Sequence, residues 1–214
     1  MRSYLSIAIL MFIAALGSGC ADPAANKQKA TVANAQQESN SPKAAGTETL
    51  VISPENSKVD FVAAKITRSH NGSFKQFAGK IDLAANSLPD SRVTIDIETA
   101  SVETDEPQLT GHLKTADFFD VAKFPKATFV SMKIEPGATG SDAYTVTGNF
   151  DLHGVKKSIS FPATIKLSPD SVSVAAEFAI NRKDFGIVYA GKADDLIRDG
   201  VVIKLNLNLP RKKY

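Results

Sequence analysis

Long rows in which apolar and polar residues alternate run through the chain from Leu50 onward, and they limit its fold more tightly than any other feature. Ile159, Phe161, Ala163, Ile165 and Leu167 alternate with Ser158, Ser160, Pro162, Thr164 and Lys166. Val172, Val174, Ala176, Phe178 and Ile180 form a second row, Ile203, Leu205, Leu207 and Leu209 a third, and Val93, Ile95 and Ile97 a fourth. Successive side chains of a strand point to opposite faces, so each row reads as a strand with one dry face and one wet face. Weaker rows occur at Phe77, Gly79, Ile81 and Leu83 and at Tyr144, Val146, Gly148, Phe150 and Leu152, and the stretches Lys58–Arg68 and Ala127–Ile134 are also strand-like. Asn71-Gly72, Pro89-Asp90, Pro136-Gly137, His153-Gly154 and Ser168-Pro169-Asp170 read as turns between them. The pattern predicts an all-β domain of about eight antiparallel strands.

Eight long strands can close into a barrel whose interior holds side chains or one small ligand, and closure removes exposed strand edges. The wet faces carry Lys, Asp, Glu, Asn and Thr, whereas a membrane-spanning barrel needs an apolar outer face, so the apolar rows are expected to look inward. Pro107 to Phe119 breaks the pattern. Leu109, Leu113 and Ala116 fall at helical spacing there, behind Asp105, Glu106 and Pro107, which suit a helix start. One short helix between strands is therefore expected, placed to plug an end of the barrel.

The first residues follow a different logic. Arg2 is followed by an apolar run from Leu5 to Leu16, then by small residues and Cys20, which is the order of a secretory signal peptide; the run is too short to span a bilayer as a helix. Leu16-Gly17-Ser18-Gly19-Cys20 resembles a bacterial lipoprotein signal box, with Gly17 at the place where Leu is usual. That resemblance implies cleavage after residue 19, lipid attachment at Cys20 and a periplasmic protein anchored to a membrane, Ala21 favouring the outer one. Residues 20–47 are rich in Ala, Asn, Gln, Ser and Lys and read as a flexible tether. The domain proper is expected over 48–214.

Composition excludes several classes. With 25 Lys and Arg against 23 Asp and Glu, the formal net charge is +2, too small and too scattered for a nucleic-acid footprint. The one cysteine rules out a disulfide within the chain, and three histidines without paired spacing give no metal signature. No nucleophile elbow, paired-carboxylate motif or Gly-rich phosphate loop points to catalysis, and no cofactor is expected.

Three blocks carry a family resemblance. His112-Leu113-Lys114-Thr115-Ala116-Asp117-Phe118-Phe119-Asp120 leads to Phe124-Pro125-Lys126-Ala127-Thr128-Phe129. Gly148-Asn149-Phe150-Asp151-Leu152-His153-Gly154-Val155-Lys156-Lys157 runs into Ile159 and Phe161-Pro162. Ile180-Asn181-Arg182-Lys183-Asp184-Phe185-Gly186-Ile187 is the third. In this order they resemble the YceI-like family over about Val51 to Leu209. The tether and Cys20 lie outside the typical domain.

The resemblance implies a lipocalin-like eight-stranded barrel that binds a polyisoprenoid or similar long lipid in its interior. The residues alone favour a solid core, since interiors normally pack without voids, and it is the resemblance that turns the reading to a cavity. On the family's reading the cavity lining is Phe77, Ile81, Ile95, Ile97, Phe118, Phe119, Phe129, Phe150, Phe161, Phe178 and Ile180; Phe118 and Phe119, which end the expected helix, also suit a role as the seal of the barrel's end. Asn181, Arg182 and Asp184 read first as a local cap and pairing group, and Arg182 is also the candidate for a lipid head group, because a guanidinium suits phosphate geometry. The partners implied are the lipid and, through Cys20, a membrane; the oligomeric state is left open, a homodimer included. Two other readings stand beside the carrier: an enzyme on an apolar substrate using His112 or His153 with a carboxylate, and an envelope module that binds a protein through its outer face. His153-Gly154 reads first as a tight turn.

Overall fold

The computed structural model describes residues 21–38, 46–84 and 87–211. Its strands are β1 (Thr31–Asn34), β2 (Thr47–Ile52), β3 (Ser57–Ala64), β4 (Ser69–Phe74), β5 (Phe77–Ala84), β6 (Ser87–Glu98), β7 (Val102–Thr104), β8 (Lys126–Pro136), β9 (Ala143–Leu152), β10 (Val155–Leu167), β11 (Ser171–Asn181), β12 (Gly191–Lys192), β13 (Asp195–Leu196) and β14 (Gly200–Pro210). One α-helix, α1 (Pro107–Leu113), lies between β7 and β8.

Twelve strands form one antiparallel sheet in the order β2-β5-β6-β8-β9-β10-β11-β14-β3-β4-β7, with β1 added on β10; β12 and β13 pair by themselves. The sheet curls until its ends meet. β2 at one end pairs with β5, and β3 near the other end pairs with both β14 and β4. Since β2 runs on into β3 and β4 into β5, the two ends are the halves of one long, bent hairpin. The expectation of about eight strands is thus corrected to twelve. Bends divide two staves of the barrel into β2/β3 and β4/β5, β7 is a short addition to β4, and β1 comes from outside the alternating rows.

The alternating rows face as their period requires. Ile159, Phe161, Ala163 and Ile165 of β10, Val172, Phe178 and Ile180 of β11 and Leu207 and Leu209 of β14 are buried in one core cluster inside the ring. His153 (φ 54°) and Gly154 (φ 73°) both take the left-handed conformation, as a two-residue hairpin turn between Leu152 and Val155 requires. Two other turn expectations fail. Asn71-Gly72 lies inside β4, where Gly72 leaves room for the Phe61 ring that lies across it. Pro89-Asp90 lies inside β6, near the strand's start, where a missing N–H is tolerated. The helix is shorter than expected: it ends at Leu113, and Phe118 and Phe119 follow in a turn closed by Phe119 N–H to Leu113 C=O (3.0 Å).

The largest departure concerns the segment read as a flexible tether. Residues 21–38 lie along the barrel wall. β1 pairs with β10 from Thr31↔Ser160 to Asn34↔Lys157, and Ala24 is buried against the outward-facing Val62, Ala179 and Val202. A polar, Ala-rich stretch cannot build a core of its own, but its backbone can add to an existing strand edge, where side-chain hydrophobicity matters little. Residues 1–20, which hold the expected signal peptide and Cys20, and residues 39–45 lie outside the described part of the chain.

Candidate functional site: an apolar cavity inside the barrel

The ring encloses a cavity rather than a solid core. The cavity volume is about 120 Å³. Its exposed wall is apolar throughout. Asp60 and Ser91 belong to the wall but expose no polar surface to the space, so water gains no partners inside, and such cavities stay dry.

Eight of the residues proposed from the sequence line this space: Ile81, Ile95, Ile97, Phe129, Phe150, Phe161, Phe178 and Ile180. The rings of Phe161 and Phe178 stack at 4.2 Å and 12°, and Phe129 leans on Phe161 at 5.7 Å. Further lining comes from residues the sequence reading did not single out, notably Phe61, Phe74, Leu88, Val93, Ile134, Val146 and Leu205. Val93, Val146 and Leu205 sit in the same alternating rows as the chosen residues, so their period was sufficient signal. Phe61 and Phe74 fall where the bent hairpin blurs the alternation.

Three proposed lining residues lie elsewhere. Phe77 is buried in the core away from the cavity. Phe118 packs edge-on against His112 (4.9 Å) and Tyr189 (5.4 Å), beyond the end of the channel. Phe119 touches the cavity only through Phe74, against which it packs edge-on at 5.6 Å. The aromatic rings after α1 thus find their partners in His112, Tyr189 and Phe74 rather than in the cavity.

Arg182 is corrected more sharply. It is 4% exposed and does not line the cavity. Its guanidinium donates to the carbonyls of Ile187 (2.7 Å), Arg198 (3.2 Å) and Ile197 (3.4 Å) and to the Asp199 carboxylate (3.2 Å). Burial pushes its pKa down, Asp199 pushes back, and an arginine in this position still stays charged. The group clamps the 187–199 loop, and its donors are spent there rather than on a ligand's phosphate.

The histidines are also away from the channel. His112 Nε2 lies 2.8 Å from Asp117 on the outer surface, and His153 Nδ1 lies 3.3 Å from the Phe185 carbonyl in its turn. His70 is buried with Nδ1 2.8 Å from Asp105. Burial raises the Asp105 pKa, but His70 and the Asn71 amide outweigh it and the net shift is downward. Among the described residues no group of three or more His, Cys, Asp or Glu is placed to hold a metal ion.

The YceI-like domain family matches residues 50–209. The chain belongs to the YceI-like family. Among its relatives is a UPF0312 protein of Pseudomonas putida strain W619, 33% identical over 123 residues, which are 55% of this chain and 63% of the relative. A UPF0312 protein of Azotobacter vinelandii is 37% identical over 92 residues, 43% of this chain and 47% of the relative. The chain thus spans less than two thirds of the length of these relatives.

Among solved structures, Burkholderia cenocepacia BcnA superposes with a TM-score of 0.63 at 25% identity, over 71% of this chain and 95% of that one. A domain of Saccharophagus degradans described as polyisoprenoid-binding and implicated in plant cell wall breakdown superposes with a TM-score of 0.60 at 18% identity, over 77% and 98%. At that identity the likeness establishes the YceI-like barrel alone.

Proposed function

We propose that this YceI-like barrel binds one long, flexible apolar chain, a polyisoprenoid or a fatty chain of similar width, and acts as its carrier or store in the cell envelope. The observation that carries the reading is the cavity itself, enclosed by the barrel wall and exposing only apolar surface. Each methylene moved there from water contributes about 0.8 kcal/mol. Ten or so of them, roughly 8 kcal/mol, reach the range of the rigid-body entropy lost on binding. Affinity then grows with chain length, and selectivity rests on width rather than on polar recognition. The polyisoprenoid-binding description of the Saccharophagus domain agrees with this reading. So does the secretory order of the first twenty residues, which with lipidation of Cys20 would place the barrel in the periplasm at a membrane.

Native mass spectrometry of the protein purified from its own organism tests the reading. A retained adduct with the mass of a single long-chain lipid is the expected result. Bare protein, together with no uptake of added cis-parinaric acid, a fluorescent linear polyene fatty acid, would overturn it.

A further inference from the structure

The wall of the barrel has a seam. β10 and β11 are paired only at four positions, Thr164↔Ala175 to Leu167↔Val172, although both strands continue well beyond. Pro162 lies just past the last pair. The Ile165 N–H points to the β9 side, where it donates to the Asp142 carbonyl (2.8 Å). Backbone groups alternate in direction along a strand, so the nitrogen of Pro162, three residues away, faces β11 and has no proton to donate. The split is thus written into the sequence.

Residues 28–36 fill it. The strand β1 bonds along one edge to β10. On its other edge the Ala30 N–H donates to the Ala179 carbonyl (2.8 Å), and the Ala179 N–H to the Gln28 carbonyl (2.9 Å). The inserted segment ends in a clasp. Gln36 N–H donates to Asn149 Oδ1, and Asn149 Nδ2 donates to the Gln36 carbonyl, both at 2.8 Å. Asn149 is 2% exposed in this arrangement. Directly inside the seam stand Phe161 of β10 and Phe178 of β11, whose stacked rings line the cavity.

We propose that residues 28–36 form a removable stave, and that its withdrawal opens a side door between β10 and β11 through which an apolar chain reaches the cavity. The proposal rests on the binding function above and adds its route. The stave is held mainly by backbone hydrogen bonds and one amide clasp, with little apolar burial, which is the character of elements that open locally. The rest of the wall stays hydrogen-bonded while it moves. Parting Phe161 from Phe178 exposes the channel along its side, so a long chain need not be threaded from one end.

Thr31 and Ala33 face outward opposite Ser160 and Ser158, so a cross-link there locks the stave without entering the cavity. The test uses the full chain with Cys20→Ser, Ala33→Cys and Ser158→Cys, and stopped-flow uptake of cis-parinaric acid. With the disulfide formed, uptake is expected to slow by about tenfold or more and to recover on reduction, as for a gating element. Asn149→Ala, which loosens the clasp, is expected to speed uptake several-fold at unchanged equilibrium affinity. Fully cross-linked protein that fills at the unmodified rate would overturn the side door and leave the carrier reading intact. Should the disulfide fail to form, an Asn149→Ala rate equal to that of the native residue would overturn it as well. Absence of binding in every form, native included, would overturn both readings.

Discussion

The two flanks of β11 are built differently. Toward β14 it is paired at every residue, from Ser171↔Pro210 to Asn181↔Gly200. Toward β10 it is paired at four positions, and a segment from outside the alternating rows supplies the rest. Both flanks present similar apolar side chains to the same interior, so hydrophobic pattern does not distinguish them. What differs is the bookkeeping of backbone hydrogen bonds. The β14 flank is closed by strands that also share the core, and it can open only with the whole barrel. The β10 flank is closed by a guest whose own contribution to the core is limited to the half-buried Ala30 and Val32. One barrel thus combines a globally stable seam with a locally separable one.

The sharpest way to break this contrast is to damage the continuous flank. Leu209 is 0% exposed and sits opposite Val172. Leu209→Ala is expected to cost about 2–5 kcal/mol of global stability, the range for emptying a buried leucine site. Denaturant titration measures the loss, and hydrogen exchange should accelerate across β10, β11 and β14 together. Acceleration confined to the end of β14 would show that this flank too opens piecemeal. Next in size is Asn149→Ala. It strands the Gln36 N–H and C=O, and one unsatisfied buried group costs about 1–3 kcal/mol. That loss should register as faster exchange at the Ala30 and Ala179 amides, with β14 protection unchanged.

The sequence shows how far such a contrast can be read in advance. Alternation in β10, β11 and β14 placed Phe161, Phe178, Ile180 and their neighbours facing inward, because a strand's period leaves no freedom about which side is dry. The stave was missed for the converse reason. Lys29 to Gln36 have no periodic hydrophobicity to detect, and their fixation depends on an edge exposed by Pro162, over a hundred residues later in the chain. The sequence reading noted that proline only as a wet-face residue. For Arg182 the chemistry of a guanidinium suits a phosphate and a local pairing alike, and only the fold reveals four acceptors converging on it. For Phe118 and Phe119 a place in the lining stood beside a role as seal of the barrel's end, and the early end of α1 turns their rings onto His112, Tyr189 and Phe74 instead of the cavity.

A third effect, smaller than either substitution, comes from acid. The hydrogen bond from Lys156 outweighs burial and holds the Glu38 carboxyl below its ordinary pKa; Lys27 does the same for Glu177. A carboxylate whose folded pKa is lowered stabilises the fold at pH values above its unfolded pKa, and that contribution is lost as pH falls through the folded value. Both pairs join the N-terminal segment to the wall, Glu38 to β10 and Lys27 to β11. Below the usual glutamate range of about 4.3, the stave is therefore expected to loosen before the barrel does. Exchange at Ala30, corrected for its intrinsic pH dependence, should rise relative to Val202. An unchanged ratio would mean that these charges play no part in holding the segment.

The smallest effect is the most discriminating about what holds the stave. Lys27 Nζ lies 2.9 Å from Glu177 across the edge of the seam, and both side chains are more than a third exposed. Exposed pairs of this kind contribute about 0.2–1 kcal/mol and are screened by salt. Glu177 also has Lys204 at 3.4 Å, so removing Lys27 leaves the carboxylate with a cation. Lys27→Ala is therefore expected at the low end of that range, and its effect should vanish at high ionic strength. The two Asn149 bonds to the Gln36 backbone join neutral groups and should keep their contribution there. If Lys27→Ala instead freed Ala30 as much as Asn149→Ala does, the segment would be pinned by surface charge, and the seam would open with ionic strength rather than by breaking a buried amide pair.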